Sequence, residues 1–235
     1  MVAVLDNLAA AFLVTGVFAG LVYALGMASR GGALGGFAVG AVIYACLGAQ
    51  GFAILALFVV GGSVLTRLGY QSKERQGTAE GHGGRRGARN ALANCGVALL
   101  CALLAALTPP SGAFATAFVA ALGAAFADTA ESEVGQLYSR RPRLITTLRK
   151  VPPGTDGAVS VPGTLAGLAA AGLTAFLGFW LGLVTGPGMA LLVALAAFLG
   201  TVADSLIGAL APRLGNELTN ILGTLAAAAL IFFLA

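Results

Sequence analysis

The stretch Ala113–Gly135, AFATAFVAALGAAFADTAESEVG, runs from Ala113 to Ala127 without a charge and then places Asp128, Glu131 and Glu133 close together. A membrane-spanning helix needs roughly 17–25 mainly apolar residues. Ala113–Val134 has that length, so it predicts a span whose last turns carry acids. Working outward, seven more stretches have the same character: Leu8–Ala28, Ala33–Gly48, Phe52–Leu68, Ala91–Leu107, Thr164–Val184, Met189–Ala211 and Leu218–Ala235. The chain therefore reads as an all-α polytopic membrane bundle of about eight spans, one transmembrane domain over residues 1–235.

Composition excludes the alternatives. Of 235 residues, 58% are hydrophobic and 9% are charged, against about 25% charged in an ordinary soluble domain. So few polar groups cannot cover a water-facing surface, which argues against a soluble enzyme, a disordered chain or a nucleic-acid-binding module. Cys46, Cys95 and Cys101 lie in apolar stretches with no metal-ligand spacing and read as packing residues. The N-terminus has no basic segment and carries Asp6, which predicts a retained first helix rather than a cleaved signal.

The 13 Lys and Arg residues explain the net charge of +4. With eight spans, all of them fall on one side, chiefly in the loops 69–90 and 136–163. The positive-inside rule makes that side cytoplasmic, in what is expected to be the cell membrane.

The spans form four helical hairpins with a recurring pattern. At the basic side the first helices end in MASRGG (Met27–Gly32), SVLTR (Ser63–Arg67), ADTAESE (Ala127–Glu133) and ADS (Ala203–Ser205). The returning helices begin with small residues, as in ALANCGVA (Ala91–Ala98), GTLAGLAAAG (Gly163–Gly172) and GTLAAAA (Gly223–Ala229). Small residues allow close helix packing in lipid, but they do not account for the acids. An ionisable residue within a span costs a few kcal/mol and marks a site by default. Asp128 and Glu131 share a helix face, and Asp204 with Ser205 is their counterpart. Such carboxylates beside many basic residues suit a magnesium-bound phosphate: Mg²⁺ takes one or two carboxylates, waters and phosphate oxygens, and Arg or Lys holds the remaining charge. The loop Gly77–Asn90, GTAEGHGGRRGARN, lacks a Walker A pattern. In RRPRLITTLRKVPPGTDGAVSVPG (Arg140–Gly163), the PPGTDGAVS turn goes beyond what a topology signal needs and offers Thr155, Asp156 and Ser160 as donors and acceptors.

SRGGALGGFAVGA (Ser29–Ala41), SVLTRLGYQSKE (Ser63–Glu74), GRRGARNALANCGVA (Gly84–Ala98), ADTAESEVG (Ala127–Gly135), RPRLITTLRKVPPGTDGAVSVPGTLAG (Arg141–Gly167) and ADSLIGA (Ala203–Ala209) resemble the phytyl-phosphate kinase family, also called transmembrane protein 19-like and related to CTP-dependent prenol and dolichol kinases. The resemblance implies phosphoryl transfer from a nucleoside triphosphate, CTP by analogy, to a prenyl monophosphate such as phytyl or geranylgeranyl phosphate. Asp128, Glu131 and Asp204 are then expected to be catalytic and to hold Mg²⁺. Arg67, Lys73, Arg85, Arg86, Asn94, Arg143, Lys150, Thr155, Asp156, Ser160 and Ser205 are expected to bind substrate or nucleotide phosphate. The partners implied are the nucleotide, the prenyl phosphate and membrane lipid, with no nucleic acid and with a homo-oligomer left open. A prenol kinase, a cytidylyltransferase and a lipid or phosphate transporter are the alternatives.

Overall fold

The computed structural model describes residues 8–109 and 111–234; the reading of the N-terminal segment around Asp6 lies outside them. Nine helices occur among the described residues. They are α1 (Leu8–Ala24), α2 (Arg30–Arg67), the short α3 (Tyr70–Arg75) and α4 (Gly81–Gly84), then α5 (Ala88–Leu107), α6 (Ser111–Tyr138), α7 (Val161–Trp180), α8 (Gly186–Leu210) and α9 (Gly215–Leu234). A two-residue antiparallel ladder, β1 (Arg143–Leu144) with β2 (Ala158–Val159), pairs Arg143 with Val159 and Leu144 with Ala158. Among the described residues, six helices are long and apolar enough to cross a membrane.

The 38-residue α2 is two arms. Gly48 has φ 64° and ψ −161°, a region open essentially to glycine alone. A Cβ on Gly40 would lie 3.2 Å from the Phe52 ring and 3.6 Å from Leu55, although Leu55 would be about 22 Å away along a straight helix. The helix thus doubles back at Gly48. Counting its arms, 30–47 and 49–67, separately and adding the 17-residue α1 gives the eight segments expected from hydropathy.

α6 is the central element, packed against α2, α5, α7, α8 and α9. From Ala113 to Ala127 it is apolar on all sides, which is the signature of a buried helix, and Phe118, Val119 and Leu122 are fully buried. Glycines let its neighbours approach. A Cβ on Gly163 would lie 2.6 Å from the Glu131 carbonyl, and one on Gly200 would lie 2.8 Å from the Gly223 carbonyl and 2.9 Å from Ala124. These glycines hold α7, α8 and α9 close to the acid-bearing end of α6. The four connections 25–29, 68–87, 139–160 and 211–214 meet at that end, which carries all 13 basic residues.

Candidate functional site

A cleft of about 210 Å³ opens among these connections. α6 supplies Asp128, Thr129, Glu131, Ser132 and Glu133; α8 supplies Asp204 and Ser205; α5 supplies Asn90 and Asn94, and α9 supplies Thr219 and Asn220. Asp128 and Asp204 also border a smaller recess with Asn94, Asn220, Gly200 and Gly223. Its depth follows from the glycine crossing, since a Cβ on Gly223 would come within 3.2 Å of Asp204 Cβ. Asp204 Oδ2 is buried and has no hydrogen-bond partner. The amides form a bridge between α5 and α9: Asn220 Nδ2 donates to Asn94 Oδ1 at 3.4 Å, and Asn94 Nδ2 donates to the Asn90 carbonyl at 2.9 Å.

Arg86 is the basic residue drawn into the cleft. Its backbone is sewn to the α1–α2 connection, where Ser29 N–H donates to the Arg86 carbonyl and Arg86 N–H to the Met27 carbonyl. Its guanidinium lies 5.5 Å from the Phe58 ring centroid, in space left by Gly62, whose Cβ would come 3.4 Å from Nη2. Nη2 donates to Thr66 and Thr129 at 3.4 Å, Nη1 donates to Asn90 at 3.5 Å, and Nε is buried without a partner. These are long bonds, and no carboxylate among the described residues pairs with it. Burial pushes the guanidinium below its ordinary pKa, and the carboxylates of Glu80, Glu133 and Asp128 draw it back up.

The PPGTDGAVS turn forms the wall opposite. Ile145 N–H donates to the Gly157 carbonyl at 3.0 Å, and Thr155 Oγ1 donates to the Pro152 carbonyl at 2.8 Å. Gly157 has φ 73°, and a Cβ there would lie 2.5 Å from the Ser205 carbonyl. This seats Thr155 and Asp156 on the cleft rim beside α8. The other loop meets it where Thr78 packs on Gly154. Gly157→Ala is therefore expected to lift the turn off α8. Activity should fall at least tenfold with little change in melting temperature, measured on purified protein in detergent.

Of the expected site residues, Asp128, Glu131, Asp204, Arg86, Asn94, Thr155, Asp156, Ser160 and Ser205 line the cleft. Two of them have local duties as well. Ser160 Oγ caps α7 by accepting from Gly163 N–H. The Glu131 carboxylate accepts from Thr164 at 3.2 Å and Thr201 at 3.0 Å, joining α6 to α7 and α8. Among the described residues, no three His, Cys, Asp or Glu side chains form a metal-holding group, so Asp128, Glu131 and Asp204 are not a ready-made three-acid cage.

Five expected phosphate binders lie elsewhere. Arg67 donates to the Leu25 carbonyl at the end of α1. Arg85 is exposed beside Gly26, Arg143 donates to the Leu148 carbonyl at the surface, and Lys150 is exposed. Lys73 is fully buried, bonded to the Leu65 and Thr66 carbonyls and paired with Glu133. It pins α3 to the ends of α2 and α6. Breaking a buried pair from one side leaves an uncompensated charge. Lys73→Met is expected to cost about 3–5 kcal/mol, seen as a lowered melting temperature, and adding Glu133→Leu should restore most of it.

Asn90 and Asn220 were not singled out from sequence. The signal was present: Asn90 and Asn94 are four residues apart on one helix face, and Asn220 interrupts an apolar span.

Residues 13–228 match the family model described as integral membrane protein DUF92. An uncharacterized membrane protein of Synechocystis, sll0875, is 41% identical over 82% of this chain and 76% of its own length. The chloroplastic protein VTE6 of Arabidopsis thaliana is 36% identical over 77% of this chain, which spans 55% of that protein. An uncharacterized membrane protein of Methanocaldococcus jannaschii, MJ0933, is 33% identical over 83% of this chain and 80% of its own. No solved structure matches. The family match runs from within α1 to within α9, including every element that builds the cleft, and upholds the resemblance read from the motifs: the chain belongs to the DUF92 family of integral membrane proteins.

Proposed function

We propose that the chain is a prenyl-phosphate kinase that transfers the terminal phosphoryl group of a nucleoside triphosphate, CTP by resemblance, to a prenyl monophosphate. The observation that carries this reading is the meeting, in one cleft at the end of an apolar bundle, of Asp128, the unpartnered Asp204 Oδ2 and the Arg86 guanidinium, which lacks a carboxylate partner. The motif resemblance to phytyl-phosphate kinases and the identity to the chloroplastic protein support a phosphotransferase acting on a lipid-like phosphate.

The chemistry asks little of the protein. A phosphate monoester with second pKa near 6 is already an anion at neutral pH, so no base need remove a proton before attack. Arg86 binds that phosphate through charge-assisted hydrogen bonds, with Asn90 and Asn94 beside it. One phosphate oxygen bonds to the terminal phosphorus of the nucleotide. The bond from that phosphorus to its bridging oxygen breaks, and the nucleoside diphosphate leaves with the electron pair. Positioning and charge neutralisation supply most of the rate.

Asp128 and Asp204 would hold Mg²⁺, which when bound neutralises phosphate charge that shifts during transfer. The donor set fits, because Mg²⁺ takes one or two carboxylates and fills its other positions with waters and phosphate oxygens. Glu131, engaged by two threonines, positions α6 instead. Thr155 and Asp156 on the rim face the incoming nucleotide.

The basic end is assigned to the cytoplasm by the positive-inside rule, where soluble nucleotide is available. Single cysteines at Thr78 and Thr155 in a Cys-free background are expected to resist a membrane-impermeant thiol reagent in intact cells. Labelling of either from outside would reverse the orientation.

The deciding experiment incubates purified protein with prenyl monophosphates, the corresponding alcohols and each of four nucleoside triphosphates. Prenyl diphosphate plus a nucleoside diphosphate is the expected product pair. A nucleotidyl-lipid with pyrophosphate, or phosphorylation of the alcohol alone, would overturn the assignment.

A further inference from the structure

The polar cleft shares two residues, Arg86 and Asn90, with a second cavity of opposite character. This groove, of about 70 Å³, runs between α1, both arms of α2 and the start of α5. Its walls are Phe18 and Val22 from α1, Val39, Leu55 and Phe58 from α2, and Cys95 from α5. Where Gly32, Gly36 and Gly87 line it there is no side chain at all. We infer that this groove holds the head-proximal part of the prenyl chain, so that Arg86 sits at the junction of chain and phosphate. This rests on the kinase reading and adds the location of the lipid.

Three observations fix the polarity and the occupant. Arg86 has Phe58 of the groove under its guanidinium and Thr129 of the cleft within 3.4 Å, so the same cation faces both cavities. Its Nε has no partner, and an anionic head with a single apolar tail complements a buried cation at the mouth of an apolar slot. The groove is also narrow. A cavity of about 150 Å³ takes a six-carbon benzene ring, so 70 Å³ takes roughly three carbons, the part of the first isoprene unit next to the phosphate, with the rest of the chain running out into lipid. A diacyl phospholipid would need room for two chains beside the head, which commits the site to a single-chain phosphate.

Gly36 gives the test. Gly32 packs directly on the Arg86 carbonyl, and Gly36 lies one helical turn further along the groove, roughly 6 Å from that contact. A Cβ at Gly36 would meet nothing within 4 Å, so Gly36→Leu fills the groove beyond the carbons next to the phosphate without a backbone clash. Gly96→Leu is the control: a Cβ there also meets nothing within 4 Å, and Gly96 lines neither cavity.

Purified protein in detergent, without nucleotide, is photolabelled with a diazirine-bearing twenty-carbon prenyl monophosphate, and the adducts are located by mass spectrometry. The expected adducts lie on Phe18, Val22, Val39 or Leu55. Geranylgeranyl phosphate should compete for them, whereas inorganic phosphate and phosphatidic acid should not. Gly36→Leu should cut groove labelling at least tenfold, and Gly96→Leu should leave it within twofold of wild type. Adducts confined to the outer faces of α7 and α9, equal competition by phosphatidic acid, or full labelling of Gly36→Leu would each overturn the inference. Groove labelling without diphosphate formation from any nucleotide would instead sink the kinase reading and leave the groove standing as a prenyl-phosphate site.

Discussion

Asp128→Asn and Asp204→Asn are each expected to give folded protein whose turnover is reduced about a hundredfold or more, the size of effect seen when one contact to transition-state charge is lost. Asn keeps the size of the side chain and one weak oxygen ligand while removing the charge. The structure separates this outcome from a folding defect. Asp204 Oδ2 is buried and unpartnered, so neutralising it removes a desolvated charge, and Asp204→Asn should melt at or above the wild-type temperature. A magnesium titration gives the second readout: a lost ligand shifts half-saturation to higher Mg²⁺ and lowers kcat more than it raises the nucleotide KM. Near-normal turnover in both folded variants would remove the aspartates from the chemistry.

Arg86 carries the second large expectation. A hydrogen bond to a charged group is worth about 1.5–3 kcal/mol, so Arg86→Met should lower kcat/KM for the lipid phosphate by roughly ten- to hundredfold. Arg86→Lys keeps the charge but loses the planar fork of donors, and an intermediate fall is expected, mostly in KM. Stability should move the other way from Lys73. Lys73 neutralises Glu133 inside the protein, whereas Arg86 has no carboxylate partner and leaves Nε unsatisfied. Lys73→Met should therefore lower the melting temperature and Arg86→Met should not. If both variants fell equally in stability, Arg86 would be a structural residue.

The contrast between these two cations shows how far the sequence could be read. Hydropathy defines the eight segments because each must match the bilayer, and charge placement groups the four connections because basic residues accumulate on one side. Side-chain roles within those connections depend on contacts that no local pattern encodes. Arg85 and Arg86 are neighbours of the same type. Only Arg86 enters the cleft, because its backbone pairs with the α1–α2 connection and Gly62 leaves room for its side chain. Lys73 and Glu133 are sixty residues apart, and neither position announces the other. Asp128 and Asp204 were legible for the opposite reason: a carboxylate in an apolar helix is costly wherever it ends up. Glu131 met the same criterion, yet its two threonine partners lie on other helices, at Thr164 and Thr201.

The reversal at Gly48 bears on how the chain enters the bilayer. Gly48, the Thr108–Pro110 connection and the 181–185 connection contain no Asp, Glu, Lys or Arg. The pairs formed by the two arms of α2, by α5 with α6 and by α7 with α8 can each insert as a closed helical hairpin, tip first, from the side where the basic loops remain. No ionised group crosses the hydrocarbon in any of these three events, which avoids a barrier of about 2.5–3.5 kcal/mol per charge at the midplane. Gly48 makes the first pair possible with a turn of one residue, so biogenesis of that hairpin requires no charged tip to be translocated.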